Sequence, residues 1–257
     1  MFKQLPYSFS FKQPPYSFSF KQLRTLFLKP SLIYIFLLLA GLFNLLLLSR
    51  SSAQSYSSVT LINKPFNFPG NKNKSLLEQL AHYPVYQKAS LLEQDFIYWT
   101  NYSRLYPVNF RDSALIPFLN DQPSAKGKYA QSLIKELGHV EALPFLAPAA
   151  NLSTAAGEHV RDLVKQNGRI SHSSSDGSSF SARMRKAGVN TCAAENISLG
   201  EESTLVALLL LYLDIGLPDM GHRKNLLNPS FRQIGVGVRQ LSGNQYIMVQ
   251  DFACASQ

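Results

Sequence analysis

Two histidines and two carboxylates stand out as residue types that can do chemistry together. His172 lies in "SHSSSDG" and His222 in "GHRKN", each among turn-forming residues beside a glycine, a setting in which a loop aims a side chain into a cleft. Glu195 opens "ENISLG", an extended-looking run where a buried, unpaired carboxylate would be costly. Asp214 falls in the last turn of an apolar segment. There the helix dipole disfavours an anion by roughly 0.3–1 kcal/mol, so a cation, a metal, Arg223 or Lys224 is expected beside it unless it faces water. Neutral imidazoles with carboxylates suit a borderline cation such as Zn²⁺, or the movement of protons between water and a bound ligand.

Other chemistries lack their residues. The chain has no GxSxG elbow, no HExxH, no glycine-rich phosphate loop and no CxxC pair. The serines of "SHSSSDGSSF" read as loop formers rather than nucleophiles. His82, His139 and His159 sit beside or within helical patterns and read as structural.

The elements that must position the four residues follow from periodicity. "SLLEQDFIYWTNYSRLYP" offers Ser90 as a cap and one apolar stripe, which predicts a helix near 90–105 ended by Pro107. Further helices are predicted over roughly 124–137 and across "APAANLSTAAGEHVRDLVKQNG", the latter closing at Gly168. After the serine loop come a short helix, "SARMRKAG", the extended "ENISLG", and a buried helix, "STLVALLLLYLDIG", capped by Ser203. The tail reads as two strands, "QIGVGVRQ" and "NQYIMVQDFA", turned by "LSGN". Helices first and a small antiparallel sheet late argue for an α+β fold.

The amino terminus has a different character. A nine-residue repeat, FKQLPYSFS then FKQPPYSFS, precedes the apolar run Leu32–Leu48, and "SRSSAQS" follows with small residues at signal-peptidase-like spacing. Residues 1–53 therefore read as a basic extension plus a signal peptide or, uncleaved, a signal anchor. Residues 54–87, rich in Ser, Asn, Pro and Gly at their start, read as a linker, and 88–257 as the domain. Either form leaves the domain outside the cytoplasmic membrane, held to it only if the segment is retained.

Net charge is +9, but six of the 25 basic residues precede residue 51 with no acid among them, leaving 19 against 16 in the remainder. The basic balance belongs to the leader, and no nucleic-acid partner is expected. Cys192 and Cys254 are the two cysteines, and in an exported chain they are expected to form one disulfide.

Taken in order, "SHSSSDG" (171–177), "ENISLG" (195–200) and "GHRKNLLNPSFRQIGVGV" (221–238) resemble the CAP superfamily, or SCP domain, of cysteine-rich secretory, antigen-five and pathogenesis-related proteins, especially its bacterial secreted branch. "NYSRLYP" and "AAGEHVRDL" are similar to that family's helix patterns, and the likeness covers roughly 88–254. It implies a three-layer α-β-α sandwich with a small antiparallel sheet and a cleft lined by two histidines and two acids. Position by position, these are His172, His222 and Glu195, with Asp214 as second acid and Asp219 as the less favoured substitute. Many relatives carry glutamate at that place, often after tryptophan. Here the sequence is "LYLD", so the carboxylate is drawn back by about one methylene.

The resemblance implies a secreted or membrane-anchored module whose cleft takes a divalent metal through His172 and His222, Zn²⁺ being the candidate. The surrounding groove would take an extracellular or cell-envelope ligand. The alternatives are a metal-assisted hydrolase, with Glu195 or Asp214 activating a water, and an envelope interaction protein whose polar cluster only braces the fold. Whether a reaction is catalysed stays open at this point.

Overall fold

The computed structural model describes residues 59–61 and 66–255. The chain divides into two units, residues 1–53 and 54–257, and everything described lies in the second. The repeat, the apolar run and the cleavage-like stretch after it lie outside the described residues. Among the described residues, no helix is long and apolar enough to cross a membrane.

In chain order the elements are α1 (Lys74–Ala81), α2 (Pro84–Lys88), α3 (Leu91–Leu105), α4 (Pro107–Phe110), a π-helical turn (Arg111–Leu115), α5 (Ile116–Asp121), α6 (Lys128–Leu137), β1 (Ala147–Pro148) and α7 (Ala150–Lys165). Then follow α8 (Phe180–Lys186), β2 (Ala193–Gly200), α9 (Thr204–Leu213), α10 (Gly221–Leu226), β3 (Phe231–Ser242) and β4 (Gln245–Cys254). Ser90 starts α3 as expected, through a reciprocal box: its hydroxyl accepts from the Glu93 amide at 3.3 Å and the Glu93 carboxylate accepts from the Ser90 amide at 2.9 Å. Ser203 caps α9 through its hydroxyl alone, which accepts from the Val206 amide.

Two expectations are corrected. Within residues 54–87, read as a linker, the structure has α1 and all of α2 but its last residue. Asn73 caps α1, and Leu76 and Leu80, one turn apart, are buried. The Asn73 amide also donates to the Tyr98 hydroxyl of α3 at 2.6 Å, a tertiary anchor that composition does not reveal. Likewise, His222 stands on the first turn of a short helix, not in a loop.

The sheet order is β1-β3-β4-β2, with β2 at an edge. β2, β4 and β3 pair antiparallel, whereas the two-residue β1 adds to β3 in parallel, so the sheet is mixed at its other edge. Alternation along β4 sends Ile247, Val249, Asp251 and Ala253 to one face and Met248, Gln250 and Phe252 to the other. α7 covers the first face with Leu152, Ala156, Val160 and Leu163, each of the larger ones stabilising by roughly 1.5–3 kcal/mol on burial. α3 and α9 cover the second face and carry the larger core. These are the three layers of an α-β-α sandwich.

Two glycines set the contact between α7 and β3. A Cβ on Gly235 would lie 2.1 Å from the Leu152 carbonyl carbon, and one on Gly237 would lie 2.6 Å from the Ala156 oxygen. Only a hydrogen fits at either place. A disulfide joins Cys192, just ahead of β2, to Cys254 at the end of β4.

Candidate functional site

The structure arranges the four residues as two histidine–acid pairs. His172 Nδ1 donates to Glu195 Oε1 at 2.8 Å, and His222 Nδ1 donates to Asp214 Oδ1 at 2.6 Å. A carboxylate only accepts, so each ring holds a proton on Nδ1, and in the neutral ring Nε2 is then the acceptor. The imidazole side chains are 44% and 22% exposed, while both acids are essentially buried. Asp219, the alternative second acid, is not the partner of His222.

β2 connects the two pairs through successive residues. Glu195 faces α7 and α8, whereas Asn196 faces the opposite layer. The Asn196 amide donates to the His222 carbonyl at 3.4 Å and to Gln250 Oε1 at 3.5 Å. Asn225, on the same short helix as His222, donates to Asn196 Oδ1 at 2.8 Å and to the Glu195 carbonyl at 3.4 Å. Gln250 in turn donates to Thr100 Oγ1 on α3 at 2.7 Å. A polar string thus runs from α3 through the sheet to α10.

The first pair sits in an ionic chamber. Arg183 Nη2 donates to Glu195 Oε2 at 2.5 Å, its Nη1 donates to the His172 carbonyl at 2.8 Å, and His159 Nε2 lies 3.8 Å from Glu195 Oε2. Burial works to raise the Glu195 carboxyl. The His172 hydrogen bond and the charges of His159 and Arg183 outweigh it and hold Glu195 below the usual carboxylate range. Burial pushes the His159 imidazole below its ordinary value against the pull of Glu195, and its Nε2–H donates to the Ser171 carbonyl at 2.9 Å. Asp251, directly across from Glu195 in β4, is pushed well above the usual range by burial first and then by the Glu195 charge.

The second pair is held by backbone. Asp214 ends α9 in the left-handed conformation (φ 49°, ψ 40°), which aspartate tolerates better than most residues. Its other oxygen accepts from the Arg223 amide at 3.0 Å, so it receives two donors and faces the positive end of α10. The Arg223 side chain is buried. Its Nε donates to the Tyr212 carbonyl at 2.7 Å and its Nη2 to the Leu213 carbonyl at 3.3 Å, satisfying the end of α9. Arg104 does the same for α10, donating to Leu226 O at 2.6 Å and Asn228 O at 3.1 Å as well as to Pro144 O. Burial pulls its guanidinium down to about 10, still charged at neutral pH. The arginine and asparagine of "NYSRLYP" are therefore structural clamps. Asn101 exchanges two hydrogen bonds with the Leu146 backbone, and Arg104 anchors the helix that carries His222.

Residues 141–252 match the model of the CAP family, described as the cysteine-rich secretory protein family. This segment is similar to the CAP family. Similar solved structures include an extracellular protein containing an SCP domain from Bacillus anthracis, 28% identical, matched over 49% of this chain and 38% of that one, with a TM-score of 0.37. An outer surface protein from Borrelia burgdorferi is 23% identical over 50% of this chain and 90% of that one, at 0.37. A cysteine-rich secretory protein from Staphylococcus aureus is 16% identical over 49% and 36%, at 0.32. The chain thus spans 38% of the length of the Bacillus protein. No curated protein matches the chain.

The donor set of this site does not by itself make a zinc centre. A catalytic zinc takes three protein ligands. Here Glu195 and Asp214 are engaged at the Nδ1 of the two histidines, and the described residues hold no group of three His, Cys, Asp or Glu suited to a metal ion. What remains is a pair of imidazole acceptors.

Sequence reasoning missed Arg183, Asp251 and the place of His159. Asp251 left a readable trace, being an acid in the alternation Ile247, Val249, Asp251, Ala253 that otherwise marks an inward face. Arg183 left none, since "SARMRKAG" carries several cations and nothing in it says which one turns inward.

Proposed function

We propose that this CAP-like domain works outside the cell as a binding module, and that its ligand is read by Nε2 of His172 and of His222. The apolar run at 32–48 and the Cys192–Cys254 disulfide support export to an oxidising compartment. The observation that carries the binding role is the shared design of two part-exposed rings, each fixed at Nδ1 by a buried acid. An imidazole so fixed offers a single directed lone pair. It selects hydroxyl or amide donors, as on a glycan or a peptide of the cell envelope, and it rejects carbonyl oxygens.

The proposal is tested by titrating the protein with N-acetylhexosamine oligosaccharides bearing short peptides, while following the imidazole ¹⁵N resonances. Both Nε2 signals are expected to move, and His172→Ala and His222→Ala should each weaken binding about tenfold, the worth of one well-made hydrogen bond. A ligand that binds without moving either Nε2 resonance would overturn the assignment.

A further inference from the structure

Asp251 is an anomaly in a buried layer. The β-register sets it opposite Glu195 on one side and Gly235 on the other, and it is fully buried, as the cross-strand carboxylate is nearly so. Its row neighbours are Val249 and Ala253, and Leu152 of α7 closes over Gly235. The groups with charge or a titratable proton that face it are Glu195 on β2 and Arg183 on α8, with His159 on α7 and the loop residue His172 reaching Glu195 from farther out. Gly235 on β3 contributes no side chain. No donor from another side chain or from the backbone reaches either oxygen of Asp251 among the described residues.

One guanidinium cannot neutralise two carboxylates. Arg183 spends Nη2 on Glu195 and Nη1 on the His172 carbonyl, and its Nε finds no partner. Two anions side by side in this layer would carry an uncompensated buried charge, which proteins avoid by protonating one of them. Glu195 has the cationic partner and the histidine, so the proton belongs on Asp251, with Glu195 as the acceptor within reach.

We infer that Asp251 is a positioning residue, held as a neutral carboxylic acid whose hydroxyl donates to Glu195 and fixes the carboxylate that orients His172. Burial and the neighbouring anion, which push this carboxyl well above its ordinary range, agree with that state. The protonation state stands independently of the proposed ligand, but its bearing on binding rests on the assignment of His172.

Infrared spectra of the full-length protein at pH 7 test the inference. A protonated carboxyl stretch should be present and should vanish in Asp251→Asn, which keeps a neutral donor in the same volume. Asp251→Asn should also keep the His172 Nδ1–H resonance, whereas Asp251→Leu, apolar and without a donor, should broaden or shift it. The idea fails if the parent shows no protonated carboxyl band, or if Asp251→Asn leaves that band in place. A band lost in Asp251→Asn together with a ligand that ignores His172 would instead leave the inference standing and sink the binding proposal. If Asp251→Leu does not fold, the band in the parent and in Asp251→Asn still decides.

Discussion

The domain holds a carboxylate against a histidine twice, by opposite means. Around Glu195 the partners are side chains from three separate elements: Arg183, His172 and Asp251, with His159 behind them. Around Asp214 they are local, a ring and an amide from consecutive residues of one short helix. A charge cluster is balanced only while every member is present. A carboxylate capped by a helix end depends on little else. The difference teaches that similar histidine geometry can be either fragile or robust to the loss of a neighbour.

Removing each acid charge sharpens that contrast most. Glu195→Gln strands the part-buried Arg183 guanidinium and should lose roughly 3–5 kcal/mol of unfolding free energy in urea melts. Asp214→Asn keeps the αL-compatible side chain and should lose only about 1–2 kcal/mol. Equal losses would erase the distinction. Opening the disulfide comes next. Cys192 and Cys254 enclose a loop across 62 positions, and the double serine variant should lose roughly 2–4 kcal/mol. Since Cys192 leads directly into β2, the His172 resonances should broaden in that variant before those of His222.

The smallest effect is in pH. Glu195 is depressed on folding, so its stabilisation is in place above the ordinary glutamate value near 4.3 and fades as pH falls through its lower folded value. His159 is also depressed; its contribution is full above about 6.5 and is lost on acidification below that. Asp251 runs the other way. Its folded form keeps a proton that the unfolded chain releases near 3.9, so its contribution declines as pH rises from there toward its raised folded value. Asp251→Asn should therefore be more stable than the parent at neutral pH and gain nothing near pH 3, as read from melts across that range. A parallel shift at all pH values would contradict the assignment.

What was legible in the sequence was local or periodic. Ser90 and Ser203 announced their helices because a cap acts on amides a few residues away. The final hairpin was legible from alternation and from the Gly243 turn. The histidine and acid candidates were legible by type, but the partner of Asp214 was left open among several groups, and the answer is the His222 ring and the Arg223 amide rather than the Arg223 side chain. What stayed hidden was non-local: which cation of α8 turns inward, that β4 sets an acid opposite Glu195, and that Asn73 is pinned by a tyrosine on another helix. Those facts depend on strand register and layer spacing, which no short window of residues encodes.

The spacing itself traces to Gly235 and Gly237. Because a methyl at either site would collide with the α7 backbone, helix and sheet lie in direct contact beside the buried Asp251. An alanine at Gly235 would wedge the layers apart and admit water to the acid pair. The carboxyl could then ionise, and the proton bookkeeping beneath His172 would collapse without a single charged residue having been altered.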